Sequence, residues 1–158
     1  MTAPAGAVEF LKKVDIFGEL DGTELGKLAA AVTERAYEKG AKVFQKGDPG
    51  GSVYVIRAGI IHITRDQAKG TPVVLARLSQ GEIFGEMSYV DRRARSANAL
   101  AAARTTLIVG ERETLDNLFA GDLVIANKVL RGLARKMSNR LSRVDDQLEG
   151  FQDLVRHF

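Results

Sequence analysis

The sequence predicts one mainly β domain, a sandwich or barrel, flanked by helices and followed by a long C-terminal helix. Short apolar runs separated by turn residues fill positions 35–110, a pattern typical of strands joined by tight turns. Helical periodicity holds on both sides of that region. With 158 residues, 45% of them hydrophobic, the chain suffices for one domain with a real core but not for two full domains.

Composition excludes several kinds of functional site. The absence of cysteine rules out disulfides, thiolate metal sites and cysteine nucleophiles. Only His62 and His157 occur, so neither a multi-histidine metal centre nor a bound cofactor is expected. The net charge of +3 is compatible with an anionic ligand. No signal peptide and no apolar run of roughly 20 residues are visible, so we expect a cytoplasmic protein without membrane association.

Two helices are predicted before the β region. Val8, Leu11 and Val14 follow each other at intervals of three residues, which indicates a first helix. A second helix begins within residues 21–24, where Thr23 is the expected N-cap. Its buried stripe consists of apolar residues at helical spacing: Leu25, Leu28, Ala29 and Val32.

The central region contains runs rich in β-branched residues between glycine-containing turns. Dense glycine suits tight corners in which φ must be positive. The predicted strands, each bounded by turn residues, are 42–44, 52–56, 60–64, 73–76 and 105–109.

Helical periodicity returns after Gly110. A short helix is expected to end near Gly121, and a long helix to begin at Asp122 as its N-cap. The apolar positions of the long helix form a heptad seam with one four-residue stutter after Met137: Leu123, Ala126, Leu130, Leu133, Met137, Leu141, Val144, Leu148, Phe151 and Val155. We call these residues the seam.

The length of this helix, about 50 Å at ~1.5 Å per residue, predicts a partner. A domain of this size cannot cover it all, and a second copy is the simplest partner, so we expect a homodimer. The alternative is a helix packed wholly on its own barrel. We therefore divide the chain into a domain, 8–121, and a lid and dimerisation helix, 122–156. A basic run on the helix is interpreted as a solvated face or as inter-helix pairing with acids: Arg131, Arg135, Lys136, Arg140 and Arg143.

Residues 81–98, which we call the 81–98 segment, do not resemble a strand. Gly85 lets the backbone turn close to a ligand, and Glu86 opens one or two helical turns whose free N–H groups suit a phosphate. The guanidinium of Arg95 can bind two phosphate oxygens. Because the Glu86 carboxylate cannot bind that phosphate but readily accepts a sugar hydroxyl, the segment predicts a pocket for a ribose phosphate.

The 81–98 segment resembles the phosphate-binding cassette of the cyclic nucleotide-binding domain family. This family includes catabolite activator-type regulators, cyclic-nucleotide-dependent kinase regulatory subunits and nucleotide-gated channels. The match consists of 84–88 followed by 95–98, and 47–59 is similar to the glycine-bracketed hairpin of the family. Together with the helical entry at 16–20, the resemblance covers residues 8 to 145.

The resemblance implies an eight-stranded β jelly roll that binds cAMP or cGMP. Glu86 would accept the ribose 2′-hydroxyl, Arg95 would pair with the cyclic phosphate, and Ser96 would add a hydroxyl. Asn98, where the family often has threonine, would lie near the base. The other implied ligand contacts come from the segment itself and from the apolar wall: Phe84, Gly85, Met87, Ser88 and Leu75.

In the family, the C-terminal helix closes over the base. In this chain the candidate base-contacting residues on that helix are Arg140, Val144 and Asp145. Asp145 could accept from adenine or from guanine, so both nucleotides stay open, with cAMP favoured over cGMP. No histidine–carboxylate cluster supports hydrolysis, so an enzyme is not expected.

The resemblance implies a sensor that changes conformation and signals through an effector protein. The alternative is the ligand-binding domain of a catabolite activator-type transcription regulator, lacking its helix-turn-helix or cut before it. Only residues 151–158 remain at the end of the seam. They are too few for a helix-turn-helix, so direct DNA binding is not expected.

Overall fold

The computed structural model describes residues 2–156 and contains eight strands and five α-helices within that range. His157 lies outside the described residues. The helices are α1 (Ala7–Leu11), α2 (Gly22–Ala30), α3 (Glu86–Asp91), α4 (Arg112–Gly121) and α5 (Leu123–Arg156). The strands are β1 (Thr33–Tyr37), β2 (Lys42–Phe44), β3 (Val53–Ala58), β4 (Ile61–Arg65), β5 (Val73–Leu78), β6 (Ile83–Phe84), β7 (Asn98–Ala101) and β8 (Thr105–Gly110).

The strands form two four-stranded antiparallel sheets, ordered β1-β8-β3-β6 and β2-β7-β4-β5. This order confirms the predicted jelly roll with flanking helices. Strand β6 is only two residues long and pairs with β3 through Tyr54 and Val55. It therefore fixes the start of the 81–98 segment at the edge of the first sheet.

The first sheet separates two hydrophobic cores. Because side chains alternate along a strand, Val55 and Ile108 face the helices, whereas Tyr54 and Leu107 face the interior between the sheets. The helical core also contains Leu11, Leu28, Ile125 and Leu133, among others. Both faces of β3 and β8 are thus buried, and β3 pairs with β6 at the start of the 81–98 segment.

The N-terminal helices differ from the prediction in two ways. α1 ends at Leu11, and Val14 precedes a separate 3₁₀ turn, Asp15–Phe17. The N-cap of α2 is Asp21 and not Thr23, because the Asp21 carboxylate accepts a 2.8 Å hydrogen bond from the Glu24 N–H. Both residue types can cap a helix, and the chain reaches its helical conformation at Gly22.

Helix α5 has 34 residues, which corresponds to about 51 Å. Asp122 caps it as predicted, since its carboxylate accepts a 3.1 Å hydrogen bond from the Ile125 N–H. The residues that dock α5 onto the domain are Ile125, Val129, Gly132 and Leu133. They coincide with the seam only at Leu133, whereas Leu123 and Leu130 are exposed. The docking face therefore lies beside the seam and was not predicted as a separate face.

Beyond Leu133, Lys136 is the one described residue of α5 that is not exposed. The later seam residues all lie on the surface: Met137, Leu141, Val144, Leu148, Phe151 and Val155. The domain consequently covers the beginning of α5 and leaves most of the helix uncovered.

Candidate functional site

The 81–98 segment leaves β6 through a tight turn at Gly85. The φ of Gly85 is +80°, a conformation that glycine adopts at little cost. A Cβ at this position would lie 2.9 Å from Arg95 Nη1 and 3.0 Å from the Ser52 carbonyl oxygen. Gly85 is therefore required both for the turn and for the space that the Arg95 guanidinium occupies.

The side chain of Arg95 is buried at the end of the barrel interior. The residue is 4% exposed, and its Nη1 and Nη2 groups donate to the carbonyl oxygens of Gly85 (2.9 Å) and Ser52 (2.8 Å). Its guanidinium carbon lies 4.2 Å from the centroid of the Phe44 ring. The Arg95 guanidinium is thus held between the backbone of Gly85, the residue before Glu86, and the ring of Phe44.

The charge of Arg95 has no carboxylate partner among residues 2–156. Its Nε atom is buried and makes no hydrogen bond with any described residue. Burial lowers the pKa of the Arg95 guanidinium, because removing the group from water disfavours the charged form. An arginine nevertheless stays charged at neutral pH. The site therefore contains a buried cation that is stabilised by carbonyl dipoles, by aromatic faces and by electrostatic attraction to Tyr54 and Asp48, without a direct ion pair among residues 2–156.

The glycine-rich loop before β3 fixes the backbone of Arg95. The Gly47 N–H donates to the Arg95 carbonyl, and the Arg95 N–H donates to the Asp48 carbonyl, each at 2.9 Å. Gly50 packs so closely that a Cβ there would lie 2.2 Å from the Ser88 Cβ. The two glycine-containing motifs that the sequence singled out therefore meet in space.

Two residues that the sequence analysis did not assign support this arrangement. Glu111 accepts a 2.5 Å hydrogen bond from the Ser52 hydroxyl and so fixes the residue whose carbonyl holds Arg95. Arg112 donates to the carbonyls of Ser88 (2.7 Å) and Tyr89 (3.0 Å), which stabilises the last turn of α3. Both lie at the start of α4, far along the chain from the 81–98 segment, and no motif connects them to it.

The carboxylate of Glu86 is the second charged group of the site. It is buried, with 7% of its side chain exposed, and its Oε1 lies 2.7 Å from Nζ of Lys136 on α5. The same ammonium donates to the Ile83 carbonyl at 2.7 Å. The sequence analysis placed Lys136 in a basic run of solvated or acid-paired residues, and the structure gives it a specific acid partner.

The same basic run contains two further ion pairs with one acid. Arg131 and Arg135 lie 3.1 Å and 3.5 Å from a carboxylate oxygen of Glu19. Arg140 lies on exposed surface, with Nη1 3.9 Å from the sulfur of Met87. Arg131, Arg135 and Lys136 therefore pair with acids, of which Glu86 lies on a helix and Glu19 lies between the 3₁₀ turn and α2.

The structure brings together one part of the predicted site. Phe84, Gly85, Glu86 and Ser88 lie between β6 and the first turn of α3, and Arg95 donates to the Gly85 carbonyl; all except the half-buried Gly85 are buried. Met87 and Ser96 belong to the same segment but are exposed.

Asn98 is buried and is engaged with its neighbours. It accepts a 2.8 Å hydrogen bond from the Lys46 N–H and donates to Asp66 at 3.2 Å. The amide thus links two loops that border the 81–98 segment, a role that the residue type alone did not indicate.

The remaining predicted contacts lie on exposed surface. Leu75 is exposed on β5, at a register shift in the pairing with β4. Val144 and Asp145 are exposed on α5, beyond Arg140. Their contacts with a ligand stay predictions.

A family model described as cyclic nucleotide-binding domain matches residues 34–122. The chain belongs to the cyclic nucleotide-binding domain family. The matched range contains all eight strands except the first residue of β1, as well as the whole 81–98 segment. Membership in the family confirms the predicted resemblance and the mainly β fold class.

Relatives within this family include regulators and kinase subunits. The chain is 32% identical over 127 residues to the cyclic AMP receptor protein of Thermus thermophilus, covering 80% of this chain and 59% of that protein. It is 35% identical over 95 residues to the cAMP-dependent protein kinase regulatory subunit of Yarrowia lipolytica, covering 60% of this chain and 24% of the subunit. The chain thus spans less than two thirds of the length of these relatives.

A solved cyclic nucleotide-binding domain from Methylobacillus flagellatus superposes with a TM-score of 0.78. It is 28% identical, and the match covers 89% of this chain and 79% of the solved one. Among residues 2–156, every helix is too short or too polar to cross a membrane. The family assignment therefore defines a cyclic nucleotide-binding regulatory domain.

Proposed function

We propose that this chain is a non-enzymatic cytoplasmic sensor that binds one cyclic nucleotide, cAMP in preference to cGMP, and signals through an effector protein. The observation that carries the proposal is the buried Arg95, which has no carboxylate partner in residues 2–156. A buried charge is costly unless an opposite charge compensates it. The cyclic phosphate of the ligand provides that charge, and its two free oxygens match a guanidinium.

In this proposal Glu86 accepts the ribose 2′-hydroxyl, because a buried carboxylate beside Arg95 is a strong acceptor. Ser96 adds its hydroxyl to the phosphate, and backbone groups of Gly85, Met87 and Ser88 complete the contacts. The residues proposed for the apolar wall and for the base contacts are Leu75, Phe84, Asn98, Arg140, Val144 and Asp145.

The preference for cAMP is supported by the two relatives described above. The Thermus protein is a cyclic AMP receptor protein, and the Yarrowia protein is a regulatory subunit of a cAMP-dependent kinase. The same ligand is therefore the first expectation for this chain.

Titration calorimetry tests the ligand directly. We expect saturable binding of one cAMP per chain, with weaker binding of cGMP. The control is 5′-AMP, which has the same base and sugar but no phosphate ring, and we expect it to bind more weakly than cAMP. Absence of heat with both cyclic nucleotides at millimolar concentration would contradict the proposed function.

The proposal includes a homodimer formed through the seam of α5. Six seam residues beyond Leu133 expose apolar side chains at heptad spacing, and the domain does not cover them. Burying these residues against a second copy removes apolar surface from water and gives the sensor a symmetric output.

We expect Leu141→Asp to convert a dimer into a monomer, measured by light scattering at tens of micromolar. The reason is that a charge in the middle of an apolar interface loses its hydration without a partner. Ser142→Asp is the matched control, because it places the same charge one position away, outside the seam, and should leave the dimer intact. A monomeric wild-type protein at this concentration would overturn the proposed dimer.

A further inference from the structure

Lys136 is the point at which helix α5 contacts the acid of the proposed sugar site. Its Nζ lies 2.7 Å from Glu86 Oε1 and donates to the Ile83 carbonyl at the same distance. One ammonium thus holds both the end of β6 and the first residue of α3. Beyond Leu133, Lys136 is the one described residue of α5 that is not exposed, whereas Arg135 and Arg140 make their contacts from the surface.

We infer that Lys136 is a positioning residue for sugar recognition, which rests on the proposed function. Among residues 2–156, Lys136 is the one side chain that donates to the Glu86 carboxylate, and it contacts a single oxygen. The second oxygen is the acceptor for the ribose 2′-hydroxyl. Lys136 fixes the orientation of the carboxylate and balances its charge in a buried place.

A buried carboxylate that loses its cation reorients or recruits other donors, so its geometry is no longer set for an incoming hydroxyl. The expected consequence is a loss of discrimination at the 2′ position, in addition to any loss of affinity. Coupling is reciprocal, so a ligand that bonds to Glu86 also acts on the position of α5. Lys136 thereby connects the sugar with the helix that carries the seam.

The experiment compares cAMP with 2′-deoxy-cAMP on the wild type and on Lys136→Met. Methionine keeps an unbranched stem and removes the ammonium. For the wild type we expect the 2′-deoxy ligand to bind about tenfold more weakly, the size expected for one hydrogen bond to a charged group. For Lys136→Met we expect this ratio to fall below about threefold, because the acceptor is no longer oriented.

Lys128→Met is the matched control on the same helix. Lys128 pairs with the buried Glu24 at 2.6 Å, and the side-chain exposures of this pair, 27% and 11%, resemble the 33% and 7% of Lys136 and Glu86. Lys128→Met removes a comparable ion pair that does not involve Glu86. We therefore expect the ratio of its affinities for cAMP and 2′-deoxy-cAMP to equal that of the wild type. Lys136→Arg, which retains a cation, should restore most of the discrimination.

The outcomes separate the two hypotheses. Should the wild type bind neither ligand, the proposed function itself is wrong. Equal loss of affinity for both ligands in Lys136→Met, with an unchanged ratio, would show a purely structural role and overturn the inference. A wild type that binds but does not discriminate also overturns it. If Lys136→Met does not fold, as judged by circular dichroism, Lys136→Gln provides the same comparison.

Discussion

Replacing Arg95 by alanine is expected to weaken cyclic nucleotide binding at least tenfold, a loss of about 1.4 kcal/mol. Arg95 is the buried cation of the proposed site, and alanine removes both donors that now bind the Gly85 and Ser52 carbonyls. A phosphate in the site would then lose its charged partner. Titration calorimetry with cAMP on the wild type and on Arg95→Ala measures the effect.

Two variants control this experiment. Arg104→Ala removes an arginine whose side chain is 78% exposed and lies 3.6 Å from Glu38, so we expect unchanged affinity. Arg95→Lys keeps a positive charge but cannot bind the phosphate in a bidentate manner. We therefore expect an affinity between those of the wild type and Arg95→Ala. Equal affinities of Arg95→Ala and the wild type would show that Arg95 does not bind the ligand.

The sequence predicted the central part of the site because its signals are local. Gly85, Glu86 and Arg95 lie within eleven consecutive residues, and their chemistry indicates a ribose phosphate pocket without knowledge of the fold. The runs that became β3, β4, β5 and β8 are rich in β-branched residues, so their strands were predicted to within a few positions.

The strands that were not predicted individually have weak local signals. β1 (Thr33–Tyr37) is polar and mostly exposed, because it is an edge strand paired only with β8. β7 (Asn98–Ala101) contains two alanines, which have low strand propensity, and β6 has only two residues. Pairing with neighbouring strands stabilises these segments, and that pairing depends on tertiary structure.

The contacts of Lys136, Glu111 and Arg112 were not predicted, because they also depend on tertiary structure. Lys136 is 50 positions from Glu86 along the chain, and their contact depends on where α5 crosses the end of β6. In the sequence Lys136 is one of five basic residues within 131–143, so composition indicates a charged surface and not a partner. The regular spacing of the seam indicated a single apolar face on α5. The separate face that docks α5 onto the domain was therefore not predicted.

The close contact between α5 and the 3₁₀ turn predicts that one added methyl group on Gly132 destabilises the protein. A Cβ on Gly132 would lie 2.1 Å from the carbonyl oxygen of Ile16 and 2.8 Å from its carbonyl carbon. These are backbone atoms, so the helix itself must move away. We expect Gly132→Ala to lower the free energy of unfolding by about 1–2 kcal/mol, measured by denaturant titration, since overpacking typically costs ~1–3 kcal/mol and alanine recovers up to ~1 kcal/mol of helix propensity.

Gly150→Ala provides the matched control, because it makes the same change in the same helix where nothing lies within 4 Å of the new Cβ. Only the propensity difference acts there, so we expect an unchanged or slightly higher stability, by at most ~1 kcal/mol. Opposite signs for the two substitutions would show that close packing on Ile16 determines where α5 docks. If Gly132→Ala were as stable as Gly150→Ala, the helix would not be held at this contact, and its position relative to Glu86 would be free to change without a ligand.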